Sequence, residues 1–519
     1  MTVDSRTNPP ADAPPVGGDD DSSLNRMAVG AGISLFGVGL ARGLDFVKQV
    51  AMARLLGPQS FGLYAIGWNA LRMVGILATM GLHTGVMHFG TEYRGKDNGA
   101  FRSVLTRSML LSFGIGWAIT LTLWLAAPWL TASVFKEPQF LGLFRVFTMM
   151  LPFLGALRVA AVATRISQRM QFSILAEEIS QSTLNLLLFI VFYLLGWQLL
   201  GAIAATVLSY MAALALAIYF IYRLFGSVLA SPARPAVSNR RLLAYSAPTA
   251  LAEMSGAVIT RVDRLFLGFY HSSADVGVYQ AAAQLSIIMA SILYAFNMIL
   301  MPMISDQFHK NDMRQLEELF RINTKWGIYA IVPLVLVITF AAADVMTVLF
   351  GSEYAGGAGA LLILTAGQFI NIATGATATI LIMTGNQTTW FRLSLVMMGI
   401  SLALNFLLVP RWGMIGAAVA TSLTVSCQYL ISLLIIYRLL HLWPYDRRYL
   451  KGILAALGTA GMLLIIRLLG LPPLPNFLVT GTVATLGFFG LLVLFKLEAE
   501  DRAFIEQMIK RFRVARRAA

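Results

Sequence analysis

Two stretches of this 519-residue chain place acids and bases among residues that are otherwise hydrophobic. In residues 37–48, GVGLARGLDFVK, Arg42, Asp45 and Lys48 recur at i, i+3 and i+6. On a helix that spacing makes a stripe roughly 120° wide. In residues 248–280, Glu253 and Arg264 fall within about 20° of each other in helical projection, with Arg261 and Asp263 to either side. Two chemistries suit such sets. Surplus guanidinium and ammonium groups bind an anionic headgroup, and the arginine fork matches phosphate oxygens. Desolvated carboxylates titrate nearer neutral pH and serve proton or cation coupling. Pairing of these charges with one another, as ion pairs that only hold helices together, is the alternative reading for each residue.

No other constellation competes. His83, His88, His271, His309 and His441 lack metal-ligand spacing, and no Gly-Lys-Ser/Thr phosphate loop or nucleophile–base pair occurs. The single cysteine, Cys427, sits in an apolar segment and reads as a small core residue. An enzyme is therefore not expected, and neither a cofactor nor a metal is implied.

The elements that position these charges are membrane spans. The chain is 58% hydrophobic and 12% charged, about half the usual charge of a soluble domain. Apolar runs of about 20 residues recur along its length, too long for barrel strands and without two-residue alternation. The reading is an all-α polytopic membrane protein with about fourteen spans, at 27–53, 60–83, 108–130, 141–164, 173–195, 199–222, 242–269, 277–302, 326–350, 357–384, 390–410, 413–437, 450–469 and 475–496. Away from the span ends, seven Lys/Arg lie inside them: Arg42, Lys48, Arg72, Arg145, Arg158, Arg261 and Arg264. Arg158 joins the anion-binding candidates. Charges inside a bilayer usually face a protein interior or a watery cavity.

The net charge of +14 sorts by side. With the N-terminus cytoplasmic, cytoplasmic segments hold 28 of the 39 Lys/Arg and the opposite side only four, Arg54, Lys136, Arg411 and Arg467. That is the positive-inside bias, and it argues against nucleic acid as a partner. Both termini are expected in the cytoplasm.

An internal repeat runs at one constant offset in the numbering. Phe61-Gly62-Leu63-Tyr64 matches Val276-Gly277-Val278-Tyr279, Asn69 matches Gln284, and Gly201–Thr206 matches Gly416–Thr421. Six spans per copy is an even number, so the copies share one orientation, with the site at their interface. The expected organisation is a disordered cytoplasmic tail at 1–24, six-helix bundles at 25–225 and 242–440 joined by a cytoplasmic linker at 226–241, two extra spans within 441–497 and a basic tail at 498–519. Asn69, Gln284 and Asn297 read as interhelical hydrogen-bond formers, and Glu177 and Glu178 as an interfacial ion-pair site.

The segment Ala53-Arg54-Leu55-Leu56-Gly57-Pro58-Gln59-Ser60-Phe61-Gly62-Leu63-Tyr64 resembles the opening signature of Wzx-type polysaccharide flippases of the multidrug/oligosaccharidyl-lipid/polysaccharide superfamily. Gly81-Leu82, Glu92-Tyr93-Arg94, Asp263 to Tyr279 and Arg411–Ala418 fit as well, so the resemblance covers roughly residues 27–440. It implies two six-helix bundles around a central cavity working by alternating access. It implies as cargo an oligosaccharide repeat unit on undecaprenyl pyrophosphate, turned across a bacterial inner membrane for capsule, exopolysaccharide or O-antigen synthesis. Coupling to a proton or sodium gradient and association with the polysaccharide polymerase machinery are similarly implied. The diphosphate would meet Arg42, Lys48, Arg158, Arg261 and Arg264, with Asp45, Glu253 and Asp263 as charge partners or coupling acids. A peptidoglycan lipid-precursor flippase and a cation-coupled multidrug antiporter of the same superfamily are the rival readings.

Overall fold

The computed structural model describes residues 20–495 apart from Gln168 and Pro235, and side chains from Gly37 onward apart from Met170 and Ile299. Of the expected tails, 1–24 and 498–519, residues 1–19 and 498–519 lie outside the described residues, and 20–24 form the start of a helix. Among the described residues there are sixteen α-helices and no strand. They are α1 (Asp20–Thr79), α2 (Leu82–Tyr93), α3 (Asn98–Trp129), α4 (Leu141–Thr148), α5 (Met150–Arg165), α6 (Met170–Ile174), α7 (Gln181–Leu194), α8 (Gln198–Ala230), α9 (Asn239–Tyr270), α10 (Ser273–His309), α11 (Met313–Phe350), α12 (Ala358–Ala373), α13 (Thr377–Met383), α14 (Gln387–Leu440), α15 (Tyr449–Arg467) and α16 (Pro473–Leu494).

Among the described residues twelve helical segments are long and apolar enough to cross a membrane, against fourteen expected spans. Glycine accounts for the difference. Gly57 (φ 72°, ψ 170°), followed by Pro58, breaks α1 between the first two expected spans, and Gly413 (φ 53°, ψ −128°) breaks α14 between the eleventh and twelfth. In both, two spans run on as one kinked element, because glycine takes positive φ without a Cβ clash. The joint at the repeat equivalent of Gly57, Ser272, is built otherwise. There α9 ends at His271 and Ser272 starts α10 through a capping box, its Oγ accepting from Asp275 N at 3.2 Å and the Asp275 carboxylate accepting from Ser272 N at 3.3 Å.

The helices sort into two lobes. The elements from α2 to α8 pack among themselves, α10 packs on α11 and α12, and α14 packs on α9, α12 and α13. The first half of the chain reaches the second chiefly through α1, which lies along α10 and α9, and through α2 on α9; α15 and α16 pack on α11. Leucines such as Leu468 and Leu194 stay more than three-quarters exposed on the perimeter, as suits a surface solvated by lipid.

Two faces are distinguishable. On the basic face, Arg102 and Arg107 donate to the Ser231 and Val237 carbonyls of the α8–α9 connection. On the opposite face the lobes are closed against each other. Arg54 donates to the carbonyls of Val348 and Leu349, Tyr354 Oη donates to Ala53 O at 2.7 Å, and Ser273 Oγ donates to Glu137 Oε1 at 3.0 Å.

Candidate functional site

Between the lobes lies a cavity of about 950 Å³. Its walls come from residues 38–49 of α1, ahead of the Gly57 break, and 68–72 beyond it, from 280–298 of α10, and from parts of α5, α8, α9, α12 and α14 and the start of α7. These stretches lie inside their helices, short of the contacts at Arg54 and Ser273 that close the opposite face.

Charge is unevenly spread in it. Among the described lining residues Arg42, Arg72, Arg158, Arg261 and Arg264 face Asp45, Glu177 and Glu178, a surplus of two positive charges. Arg158 is paired, its Nη1 3.0 Å from Glu253 Oε2 and its Nε 3.9 Å from Glu177 Oε1. Arg264, 3% exposed, is held by Asp263 Oδ1 at 2.9 Å and Gln280 Oε1 at 3.1 Å, and also donates to the Thr260 carbonyl. The other three have no carboxylate within ion-pair distance among the described residues. Arg261 donates to Asn69 Oδ1 at 3.0 Å, Arg72 to Tyr210 Oη at 3.3 Å with its guanidinium 5.3 Å from the Trp68 ring centre, and Arg42 is exposed to the cavity.

A buried polar chain sets these groups. Asn69 Nδ2 donates to Gln280 Oε1 at 3.2 Å, so one amide links Arg261 on α9 to α10, and Gln280 passes the link to Arg264. Behind Arg264, Asp263 accepts from Tyr279 Oη at 2.6 Å, Thr421 Oγ1 at 2.8 Å and the Arg264 amide at 2.8 Å. Tyr64 and Thr206, the repeat equivalents of Tyr279 and Thr421, share a direct hydrogen bond of 3.0 Å. The second half inserts a carboxylate where the first half has contact between hydroxyls.

The expected site residues therefore divide. Arg42, Asp45, Arg158, Arg261 and Arg264 line the cavity. Lys48 is 1% exposed and turned aside, its Nζ 2.5 Å from Asp45 Oδ1 and 5.5 Å from the Trp68 ring centre. Asp263 stands behind the wall with four donors around it. Glu253 sits off the cavity, its Oε1 3.0 Å from His83 Nε2 and its Oε2 on Arg158, so it ties α9 to α2 and α5. Glu177 bonds Arg165 at 3.3 Å from a π-helical turn, Leu175–Ser180. Sequence reasoning assigns no role to Arg72 or His83. Arg72 carries the signal of an arginine inside a span; His83 carries none.

The fold and the site together define a polytopic helical membrane protein of two lobes around a basic cavity. The chain belongs to the polysaccharide biosynthesis protein family, whose profile matches residues 28–308. It is similar to the protein named "Probable low-salt glycan biosynthesis flippase Agl15" of Haloferax volcanii, 24% identical over 37% of this chain and 41% of that one. It is also similar to "Capsular polysaccharide biosynthesis protein CapF" of Staphylococcus aureus, 22% identical over 38% of this chain and 49% of that one. The matched segment thus spans less than half the length of either relative. Among solved structures, "Lipid II flippase MurJ, inward closed conformation" superposes with a TM-score of 0.70 at 14% identity, covering 89% of this chain and 98% of that one; at that identity the likeness is one of fold.

Proposed function

We propose that the protein is a flippase that carries an oligosaccharide repeat unit on undecaprenyl pyrophosphate from the cytoplasmic to the periplasmic leaflet of a bacterial inner membrane, by alternating access of the two lobes. The observation that supports this most directly is the trio Arg42, Arg72 and Arg261, three guanidiniums at a large intramembrane cavity with no carboxylate to pair with among the described residues. An uncompensated charge away from water is costly, and a diphosphate supplies both the charge and the acceptor oxygens that planar guanidiniums bind in pairs. A cavity of this size is at the upper end of those that hold small ligands.

On this reading the basic face is cytoplasmic and both termini lie there. The lobes correspond to residues 25–225 and 242–440, linked by 226–241, with 441–497 appended. A coupling proton or sodium ion would be taken up at the carboxylates facing or flanking the cavity, among them Asp45 and Glu253.

The test is polysaccharide export in cells carrying Arg261→Ala or Arg42→Ala, with protein levels in the membrane measured in parallel. Loss of surface polysaccharide at normal protein level is expected. Undiminished export by both variants overturns the assignment.

A further inference from the structure

The cavity wall has two chemically distinct sides. All of its described charged residues come from α1, α5, α9 and the turn before α7. The wall supplied by α10, α12 and α14 carries none; its polar groups are the hydroxyls of Ser291, Tyr294 and Tyr429 and the carboxamides of Gln284, Asn297 and Asn371, besides Gln280, which is committed to Arg264 and Asn69. Resting on the flippase reading above, we infer that this neutral wall is the subsite for the sugar next to the pyrophosphate, and that the sugar it takes is an uncharged hexopyranose.

The donor and acceptor inventory points there. Asn371 is 6% exposed, its Nδ2 donates to Gln368 Oε1 at 3.0 Å, and its buried Oδ1 has no donor among the described residues. A buried carbonyl oxygen left without a donor costs about 1–3 kcal/mol, so this position favours a ligand that brings an O–H or N–H. A diphosphate brings neither. Sugar hydroxyls and acetamido groups bring them.

Asn297 offers a second carboxamide, its Oδ1 3.4 Å from Asn323 Nδ2. An amide presents donor and acceptor side by side, the pattern that vicinal hydroxyls match. Tyr294, half exposed, adds an apolar ring face with a hydroxyl at its edge, suited to the C–H face of a pyranose. A carboxylated sugar would find no cation on this wall. One molecule is thereby oriented, with its diphosphate toward α1 and α9 and its first sugar toward α10 and α12.

The experiment compares binding of two probes to the full-length protein in lipid nanodiscs: undecaprenyl pyrophosphate, and the same lipid carrying glucose or N-acetylglucosamine on the pyrophosphate. The wild type is expected to bind the sugar-bearing lipid more tightly. Asn371→Leu and Tyr294→Phe are expected to lose about three- to tenfold of that preference, the loss of one or two hydrogen bonds, while binding the sugar-free lipid as the wild type does. That unchanged binding reports intact folding. Arg261→Ala weakens both probes. A preference that survives in both Asn371→Leu and Tyr294→Phe, or a wild type that shows none, overturns the sugar subsite and leaves the flippase reading standing. A wild type that binds neither lipid overturns the flippase reading and the subsite with it.

Discussion

Gly62 and Gly277 lie against each other's helices where α1 crosses α10, and the contact is reciprocal. A Cβ on Gly62 would overlap the Ser273 carbonyl and come within 2.9 Å of Gly277 N; a Cβ on Gly277 would overlap the Pro58 carbonyl and come within 3.1 Å of Gly62 N. Gly62 and Gly277 are equivalent positions of the internal repeat, as are Pro58 and Ser273. The far end of the cavity is sealed at this crossing, because two helices without side chains at the contact approach backbone to backbone.

Substitution there should be severe, since the atoms that would have to move are main chain. Gly62→Val or Gly277→Val is expected to lower stability by roughly 3 kcal/mol or more. Gly39→Ala, at a position with nothing within 4 Å, should change it by no more than about 0.5 kcal/mol. Thermal unfolding of the detergent-solubilised protein, followed by fluorescence, measures both. Equal midpoints for Gly62→Val and Gly39→Ala would contradict the close approach.

The buried acid of the second lobe is predicted to act on stability more than on ligand affinity. Asp263 is 1% exposed and satisfies Tyr279, Thr421 and Arg264 together. Asp263→Ala leaves Arg264 without its counter-charge and should cost about 3–5 kcal/mol. Tyr279→Phe removes one donor and should cost about 1 kcal/mol. The ratio between the two, read from denaturation midpoints, is the informative quantity; a Tyr279→Phe loss as large as that of Asp263→Ala would mean the carboxylate is not the centre of the network.

The guanidiniums at the cavity should behave the other way. Arg72→Ala, Arg42→Ala and Arg261→Ala each remove a charge that has no carboxylate within ion-pair distance among the described residues, so stability should hold or rise slightly. Affinity for undecaprenyl pyrophosphate should fall roughly tenfold per site, as expected for a charge-assisted hydrogen bond. Arg72→Lys keeps the charge and loses the fork and the stacking on Trp68, and should recover only part of the affinity. Titration of the lipid into nanodiscs distinguishes these outcomes from a purely structural role, which would lower stability without a selective change in affinity.

The intramembrane charges were legible because an acid or base inside an apolar run long enough to span a bilayer is a local signal. Their division between cavity and core was not. Helical periodicity puts Arg42, Asp45 and Lys48 on one stripe, yet Lys48 turns under Trp68, a residue beyond the Gly57 break. The phase between the two pieces of α1 is set by φ and ψ at that glycine, which no spacing rule supplies. Arg72 lies on the second piece, and for the same reason its place at the cavity could not be read. His83 becomes noticeable only through Glu253 on another helix, and Asn371 only through a buried acceptor left unfilled at a cavity-lining position.

Glu253 provides a test of how the lobes are held together near the cavity. Its carboxylate spans His83 on α2 and Arg158 on α5, each at 3.0 Å, from α9 of the other lobe. Alternating access requires α9 to move against α2 and α5, so this pair should contribute to one conformation and be absent from another. Both side chains are about one-third exposed, which limits the pair to about 1 kcal/mol of coupling. A double-mutant cycle with Glu253→Gln and Arg158→Gln, read from thermal stability, should return that coupling. Cysteine labelling from the side opposite the basic face should rise in Glu253→Gln if the pair favours the state closed there. A coupling near zero together with unchanged labelling would show that the contact holds neither lobe.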